Sequence, residues 1–493
     1  MTSGDEHPEF PLLAFLWGCA HALSALSATN WFVDMQQGRL SVVLIADCAM
    51  FAAAITVIVR PNVPAVLGLL AGVQAVQTVV HLPEVPNHRI LMFCLNLALL
   101  LALAANAVVR DRQPLRPALA STFSRVSLYT LAGVYFFATL AKLNTGFLDP
   151  DVSCGAQFLG HVTQIFPTLG FTQASAAIWL TIVVEGLLVP GLIYRKTRKA
   201  AVLVGLVFHF GVALDLVKRF YNFSAVMSAM LTASLGTGLL REAAGSLGNR
   251  FSRSFLGMVR ILFAVWLAGL FAYGLLADPE VKWKVFIGAW SIWTLLGVFC
   301  IALAVAEFVR IRSRIRENSA AREPHARILT NSATSRRNPH EFHDVTTRPA
   351  RVAVAVPLLL ILANGCGPYL GYKTRTSFNM YSNLRLEANA GNHLLFSRSL
   401  DVCGYLADEV ELLETNDEVL RRDYLDKGHR ITHFELERHL AGRDPDGLHL
   451  VVRRKGRVEA IADVPRPGIG KRLLWKLLVF RPLGPRVVHE CIW

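Results

Sequence analysis

The sequence predicts an all-α polytopic membrane bundle of about eleven transmembrane helices with a small C-terminal α+β extracytoplasmic domain. Three observations predict it. Apolar runs of about twenty residues, the length that crosses a hydrocarbon core, recur along most of the 493-residue chain. Hydrophobic residues make up 53% and charged residues only 17%, against about 25% charged in soluble proteins. The basic residues gather in alternate loops between the apolar runs. A net charge of +14, from 50 Lys and Arg against 36 Asp and Glu, therefore reads as membrane orientation. A nucleic-acid partner is not expected, since its binder would cluster bases on one soluble face.

In order, the spans are expected near 11–31, 40–60, 62–82, 90–109, 127–145, 174–194, 200–216, 223–240, 258–277, 283–308 and 351–371. Met1 to Phe10 holds no Lys or Arg and no small-residue cleavage motif, so the first span is read as a retained helix and not a signal peptide. The loops after spans four (Arg110, Arg112, Arg116, Arg125), six (Arg195, Lys196, Arg198, Lys199), eight (Arg241, Arg250, Arg253) and ten are basic, and the intervening loops are nearly free of base. That alternation places the N-terminus in the cytoplasm, and an odd number of spans leaves the C-terminus outside. Residues 11–309 form the first transmembrane region. Residues 310–350, rich in Arg, Ser, Asn and Pro without periodicity, read as a disordered cytoplasmic linker facing anionic headgroups, and 351–371 as the last helix.

Hydropathy falls over 373–493, which is read as a small α+β domain. Leu448 to Val452, Lys455-Gly456 and Val458 to Val464 predict a β-hairpin with a basic turn. Glu409 to Leu425 and Ile431 to Leu440 suit short helices, in a periodicity too weak to exclude strands. Cys19, Cys48, Cys94 and Cys300 lie inside spans as small apolar residues. Cys154, Cys366, Cys403 and Cys491 fall on the expected outer side, where disulfides form; of the three connectivities, a Cys403–Cys491 bridge within the soluble domain is preferred. CxxC, HExxH, P-loop and GxSxG signatures are absent, which removes support for zinc, zincin, nucleotide and serine-hydrolase chemistry.

Ionisable side chains inside spans are costly and mark candidate sites. Lys142, Glu185 and His209 stand out, ahead of Asp47 and Asp215 near outer span ends. Lys142 lies fifteen residues along the fifth span, roughly 22 Å, where it can snorkel outward or act inside. Glu185 and His209 each stand twelve residues from Thr197 in the turn between spans six and seven, so both lie roughly 18 Å from it and are expected within hydrogen-bonding reach. Such a pair can also merely join helices. His81 and His88 flank a loop with two prolines, and no further ligand completes a metal set.

The run Tyr135-Phe-Phe-Ala-Thr-Leu-Ala-Lys142-Leu-Asn144, with Phe147-Leu-Asp-Pro150 after it, resembles the lysine motif of the vitamin K-dependent gamma-carboxylases and their bacterial HTTM relatives. Asn87-His88, Glu185 with Pro190, Phe208-His209-Phe210, the stretch Thr374 to Arg385 and Asn392-His393 follow in the family's order. The resemblance covers most of residues 11–395. It implies an integral membrane enzyme that oxygenates vitamin K hydroquinone or a related quinol to its epoxide. Oxygen and carbon dioxide are then co-substrates, and no metal takes part. Lys142 is implied as the base, and it must be neutral to act. His88 is implied as a donor to the quinol oxyanion. Asn87, Asn144, Glu185, His209 and His393 are implied as substrate- or cofactor-binding residues. The implied partners are the lipid bilayer, a lipid-soluble quinol, and a peptide or small-molecule acceptor, because the stretch after Lys373 is short beside the lumenal region of the animal carboxylases. The reading from a different class is a non-enzymatic membrane transporter or scaffold with a structural Glu185–His209 pair.

Overall fold

The computed structural model describes residues 7–27, 41–108, 114–167, 173–276, 282–320, 348–379, 381–387, 391–441, 448–461, 468–484 and 491. Fourteen helices lead: α1 (Glu9–Leu26), α2 (Val42–Val59), α3 (Pro64–His81), α4 (Asn87–Val108), α5 (Leu115–Lys142), α6 (Thr145–Leu148), α7 (Cys154–Ile165), α8 (Ala174–Ile193), α9 (Arg198–Val212), α10 (Tyr221–Ala233), α11 (Thr237–Arg250), α12 (Arg253–Leu276), α13 (Lys282–Ala320) and α14 (Arg348–Leu370).

Among the described residues, eight of these helices (α1 to α4, α8 and α12 to α14) are long and apolar enough to cross a membrane, the architecture of an integral membrane protein. By length and composition these helices do not account for all eleven expected spans. The 127–145 span falls on the second half of α5, which ends at Lys142 and carries Ser127, Thr130 and Thr139 among its apolar residues. For the 200–216 span, α9 supplies only 15 residues, about 22 Å of rise, and Asp215 falls in the turn beyond it, where its Oδ1 accepts from the Lys218 amide. The 223–240 span breaks between α10 and α11, which bend by 102° around Gly236 at φ +91°, so this pair makes at most a ninth crossing. The helix α13 also runs eleven residues into the expected 310–350 linker; residues 321–347, with four of that linker's nine arginines, lie outside the described residues, as do Arg39, Arg110 and Arg112.

The chain divides into two compact units, Met1–Val80 with Leu91–Ala132 and Leu187–Leu358, and His81–Ile90 with Gly133–Gly186 and Leu359–Trp493. In the first, α1 is buried almost all round, packed on α2, α10 and α11. Its Gly18 is why the contact with α2 is close: a Cβ there would meet Ile58 at 3.0 Å and the Ala54 carbonyl at 3.2 Å. In the second, Gly133 faces Ile361 and Gly365 lies against the Phe137 ring, where a Cβ would overlap it. Residue numbers rise together at the two contacts, so these parts of α5 and α14 run parallel and end on the same side.

The second unit also carries β1 (Glu409–Thr415), α15 (Glu418–Leu420) continuing as a π turn (Arg421–Leu425), β2 (Arg430–Thr432), α16 (His433–Leu440), β3 (Leu450–Arg454), β4 (Arg457–Ala460) and α17 (Ile469–Leu477). The strands form an antiparallel sheet in the order β2-β1-β3-β4. Val410, Leu412, Ile431, Leu450 and Val452 meet Leu420, Tyr424, Leu436 and Leu440 to make its core. The hairpin expected from the sequence is present as β3 and β4. Lys455 at φ +49° and Gly456 at φ +77° make the two-residue turn whose twist matches its strands. Ala462 to Val464, the end of its expected second strand, lie outside the described residues. Glu409 to Thr415, for which the periodicity left helix and strand both open, is a strand. Its alternation is broken by Leu412-Leu413, where the pairing with β3 shifts register at a bulge.

Candidate functional site

Lys142 is the last residue of α5, and its backbone surroundings are unusually complete. The carbonyls at a helix C-terminus lack intrahelical partners. Here the Ala141 carbonyl accepts from Asn144 Nδ2 at 2.7 Å and the Leu140 carbonyl from His393 Nε2 at 2.9 Å. The His393 Nδ1 accepts from the Leu395 and Phe396 amides at 3.0 and 3.2 Å, which fixes the proton on Nε2. Burial holds this imidazole below its ordinary range against the opposing pull of the Leu140 carbonyl.

Asn144 uses all its capacity. Its Nδ2 also donates to the Ser382 carbonyl at 2.5 Å, and its Oδ1 accepts from the Phe147 amide, as N-cap of α6, and from Asn392 Nδ2 at 3.1 Å. Asn383 reaches the loop beyond, accepting from the Cys154 amide and donating to the Val152 carbonyl. Asn87 Oδ1 accepts from the Phe378 amide at 3.3 Å. The connecting stretch is folded tightly, with Thr376, Phe378, Tyr381 and Asn383 all at φ between +54° and +58°. Only Asn adopts that region readily, so the other three store strain, as backbones at functional sites often do.

Within this frame Lys142 Nζ donates to Glu185 Oε2 at 2.6 Å, in a pair about nine-tenths shielded from solvent. Nζ also reaches the Ala138 carbonyl at 3.4 Å and lies 5.8 Å from the Phe147 ring centre. Within its own unit Glu185 is thus paired with Lys142. His209, expected to meet it, is counted with the first unit, where its ring packs edge-on against Phe208 and Phe223.

Several buried polar atoms here have no hydrogen-bond partner among the described residues: His88 Nε2, Thr139 Oγ1 and the Tyr369 hydroxyl. Thr139 lies beside Gly186, one residue from Glu185. Tyr369 packs against Ala141 and edge-on to His393. Neither was singled out from the sequence, and a lone Thr or Tyr in an apolar run gives no signal. Lys373, beyond α14, donates to Asn364 Oδ1 at 2.8 Å, and burial pushes its ammonium down to about 8. The disulfide joins Cys154 to Cys491, with Cα atoms 5.1 Å apart, and Cys403 is an exposed free thiol. The preferred Cys403–Cys491 bridge is therefore wrong: the C-terminal tail is tied to α7 and not to the soluble segment nearer in sequence.

No protein-family model, curated protein or solved structure matches this chain.

Proposed function

We propose that the chain is an integral membrane enzyme of the vitamin K-dependent carboxylase type, in which Lys142 is the base acting on a lipid-soluble hydroquinone. The observation that carries this reading is a convergence. Asn87, Asn144, Glu185, Asn383, Asn392 and His393, drawn from segments hundreds of residues apart, belong to one compact unit, and Glu185, Asn144 and His393 meet at the end of α5 around a buried lysine.

The residues fit a hydroquinone in donor chemistry. Phenolic oxygens need a base and hydrogen-bond donors, and the unit that holds Lys142 also holds buried polar atoms, Thr139 Oγ1 and the Tyr369 hydroxyl, with no partner among the described residues. When bound, the quinol supplies the electrons for reaction with oxygen and, through that reaction, a strong base for an acceptor. The protein's task is to hold and move one proton. Glu185 orients the Lys142 amine and can take a proton from it, leaving a neutral amine free to accept the next one. His88 and Asn87 would serve the developing oxyanion. His393 and Asn144 act indirectly, by fixing the helix end that aims Lys142. Carbon dioxide or another electrophile would be the final co-substrate, with the acceptor a peptide or a small molecule. In the accompanying topology the N-terminus is cytoplasmic and the site opens toward the outer leaflet.

Quinol-dependent oxygen uptake and epoxide formation by the purified chain test the reading, with Lys142→Arg as the decisive variant. Guanidinium keeps the ion pair with Glu185 but stays protonated, so it cannot be a base. The expected result is a folded Arg variant without epoxide. Full epoxidation by that variant would reduce Lys142 to a structural ion pair.

A further inference from the structure

We infer that α17 is an interfacial helix that lies on an anionic phospholipid surface, the headgroup layer of the membrane that α14 reaches. Its sequence, Ile-Gly-Lys-Arg-Leu-Leu-Trp-Lys-Leu, is apolar on two faces. Trp475 points into the protein, where it packs with Leu406, Phe434, Phe480 and Leu483. On the other side Ile469, Leu473 and Leu477 recur every fourth residue with Leu474 beside them. All four are solvent-facing, Ile469 at 89% and Leu473 at 59% exposure. An apolar face so displayed marks an interaction surface.

Three observations select lipid as the occupant. The chain leaving α17 is tied to the chain leaving α14: the Val479 carbonyl accepts from the Thr374 and Arg375 amides at 3.0 and 3.1 Å. Thr374 is four residues past the end of α14, at most about 14 Å of extended chain. Other exposed apolar side chains stand at the same level. Leu394 is bonded through its amide to the Leu143 carbonyl, Leu400 to that of Tyr369 and Val402 to that of Leu370, all at the ends of α5 and α14. Finally, Arg472 and Lys476 flank the apolar face, while Lys471 is engaged by Glu437 at 2.7 Å. Bases beside an exposed apolar stripe are the composition of a helix that lies in a headgroup layer.

The test uses the full-length protein with Cys403→Ser, reconstituted in phosphatidylcholine vesicles with or without phosphatidylglycerol. An environment-sensitive fluorophore is placed at Leu473→Cys, at Leu477→Cys, or at Val458→Cys on the exposed hairpin. The unsubstituted Cys403→Ser protein corrects for native thiols. Labels at 473 and 477 are expected to be quenched by nitroxides at the lipid headgroup several-fold more than the label at 458, and more strongly with phosphatidylglycerol present. Arg472→Ala with Lys476→Ala should remove that added component. Labels at 473 and 477 as open to an aqueous quencher as the one at 458 would overturn the assignment. So would labels shielded from both quenchers, which would mean a protein partner. Equal quenching in the two vesicle types would overturn the anionic headgroup.

Discussion

The two units each bury a polar cluster, and the clusters differ in kind. In the first, Asn96 on α4 joins three helices. It accepts from Trp17 Nε1 at 2.8 Å and donates to His21 Nε2 at 2.9 Å and Gln74 Oε1 at 3.0 Å. His21 Nδ1 in turn donates to the Trp17 carbonyl. These are uncharged groups on neighbouring spans, satisfied by one another, and they explain helix association without any chemistry. In the second unit the cluster is ionic, is assembled from remote segments, caps a helix end and sits beside backbone held at positive φ. A polar residue in an apolar run is thus weak evidence of function by itself. What distinguishes the clusters is whether a charge is retained and whether backbone is bent to retain it.

Charge sets the largest expected contrast. Lys142→Met or Glu185→Leu alone leaves one buried charge uncompensated, at a cost of about 3–5 kcal/mol, and the double variant should recover most of it because apolar side chains fill the space. Thermal unfolding of the full chain in detergent checks this. Singles that add up to the double would break the contrast, because the pair would then be uncoupled. The second unit alone holds the disulfide among the described cysteines, so reductant should cost it about 2–5 kcal/mol. Cys154→Ser should reproduce that loss and Cys403→Ser should not.

A smaller contrast separates the two asparagines. Asn144→Ala removes four hydrogen bonds and takes the side-chain acceptor from the buried Phe147 amide, at about 1–3 kcal/mol for a buried group left unsatisfied. Asn96→Ala, by the behaviour of hydrogen bonds between membrane helices, should cost about 0.6 kcal/mol for each of its three bonds, a total of similar size, since freed partners find others. Under the proposed function only the Asn144 variant also loses quinol-dependent turnover.

Much of this was legible in the sequence, and the failures have physical reasons. Apolar runs mark every spanning helix because hydrocarbon demands them, yet run length says nothing about the bend at Gly236 or the early end of α9. Lys142, Asn144, Glu185 and His393 were each identifiable, but not who meets whom. Residue offsets fix depth, whereas the pairing of Glu185 with Lys142 depends on helix rotation set by packing such as Gly365 against Phe137. The Cys154–Cys491 bridge spans 337 residues, a separation at which proximity in sequence carries no information. His21, Gln74 and Asn96 escaped because attention to charge in spans passes over neutral side chains.

The finest test of the comparison is acid. His393 holds the end of α5 only as a neutral ring, since its Nδ1 must accept from two amides. Protonation would turn that acceptor into a donor facing donors. Its folded-state pKa lies below the ordinary value, chiefly because the ring is buried. The unfolded chain therefore takes up the proton first as pH falls. Stability from this group is complete above the unfolded value of about 6.5 and is lost as pH drops toward and through the folded one. His433, held low by burial and by Arg454, adds a component of the same sign from the soluble sheet. The difference between the native chain and His393→Ala isolates the contribution at the site. Denaturation followed from about pH 8 to about pH 5 should show the two converging as pH falls. Parallel profiles would mean that the α5 cap does not depend on the neutral ring, leaving Asn144 as its principal support.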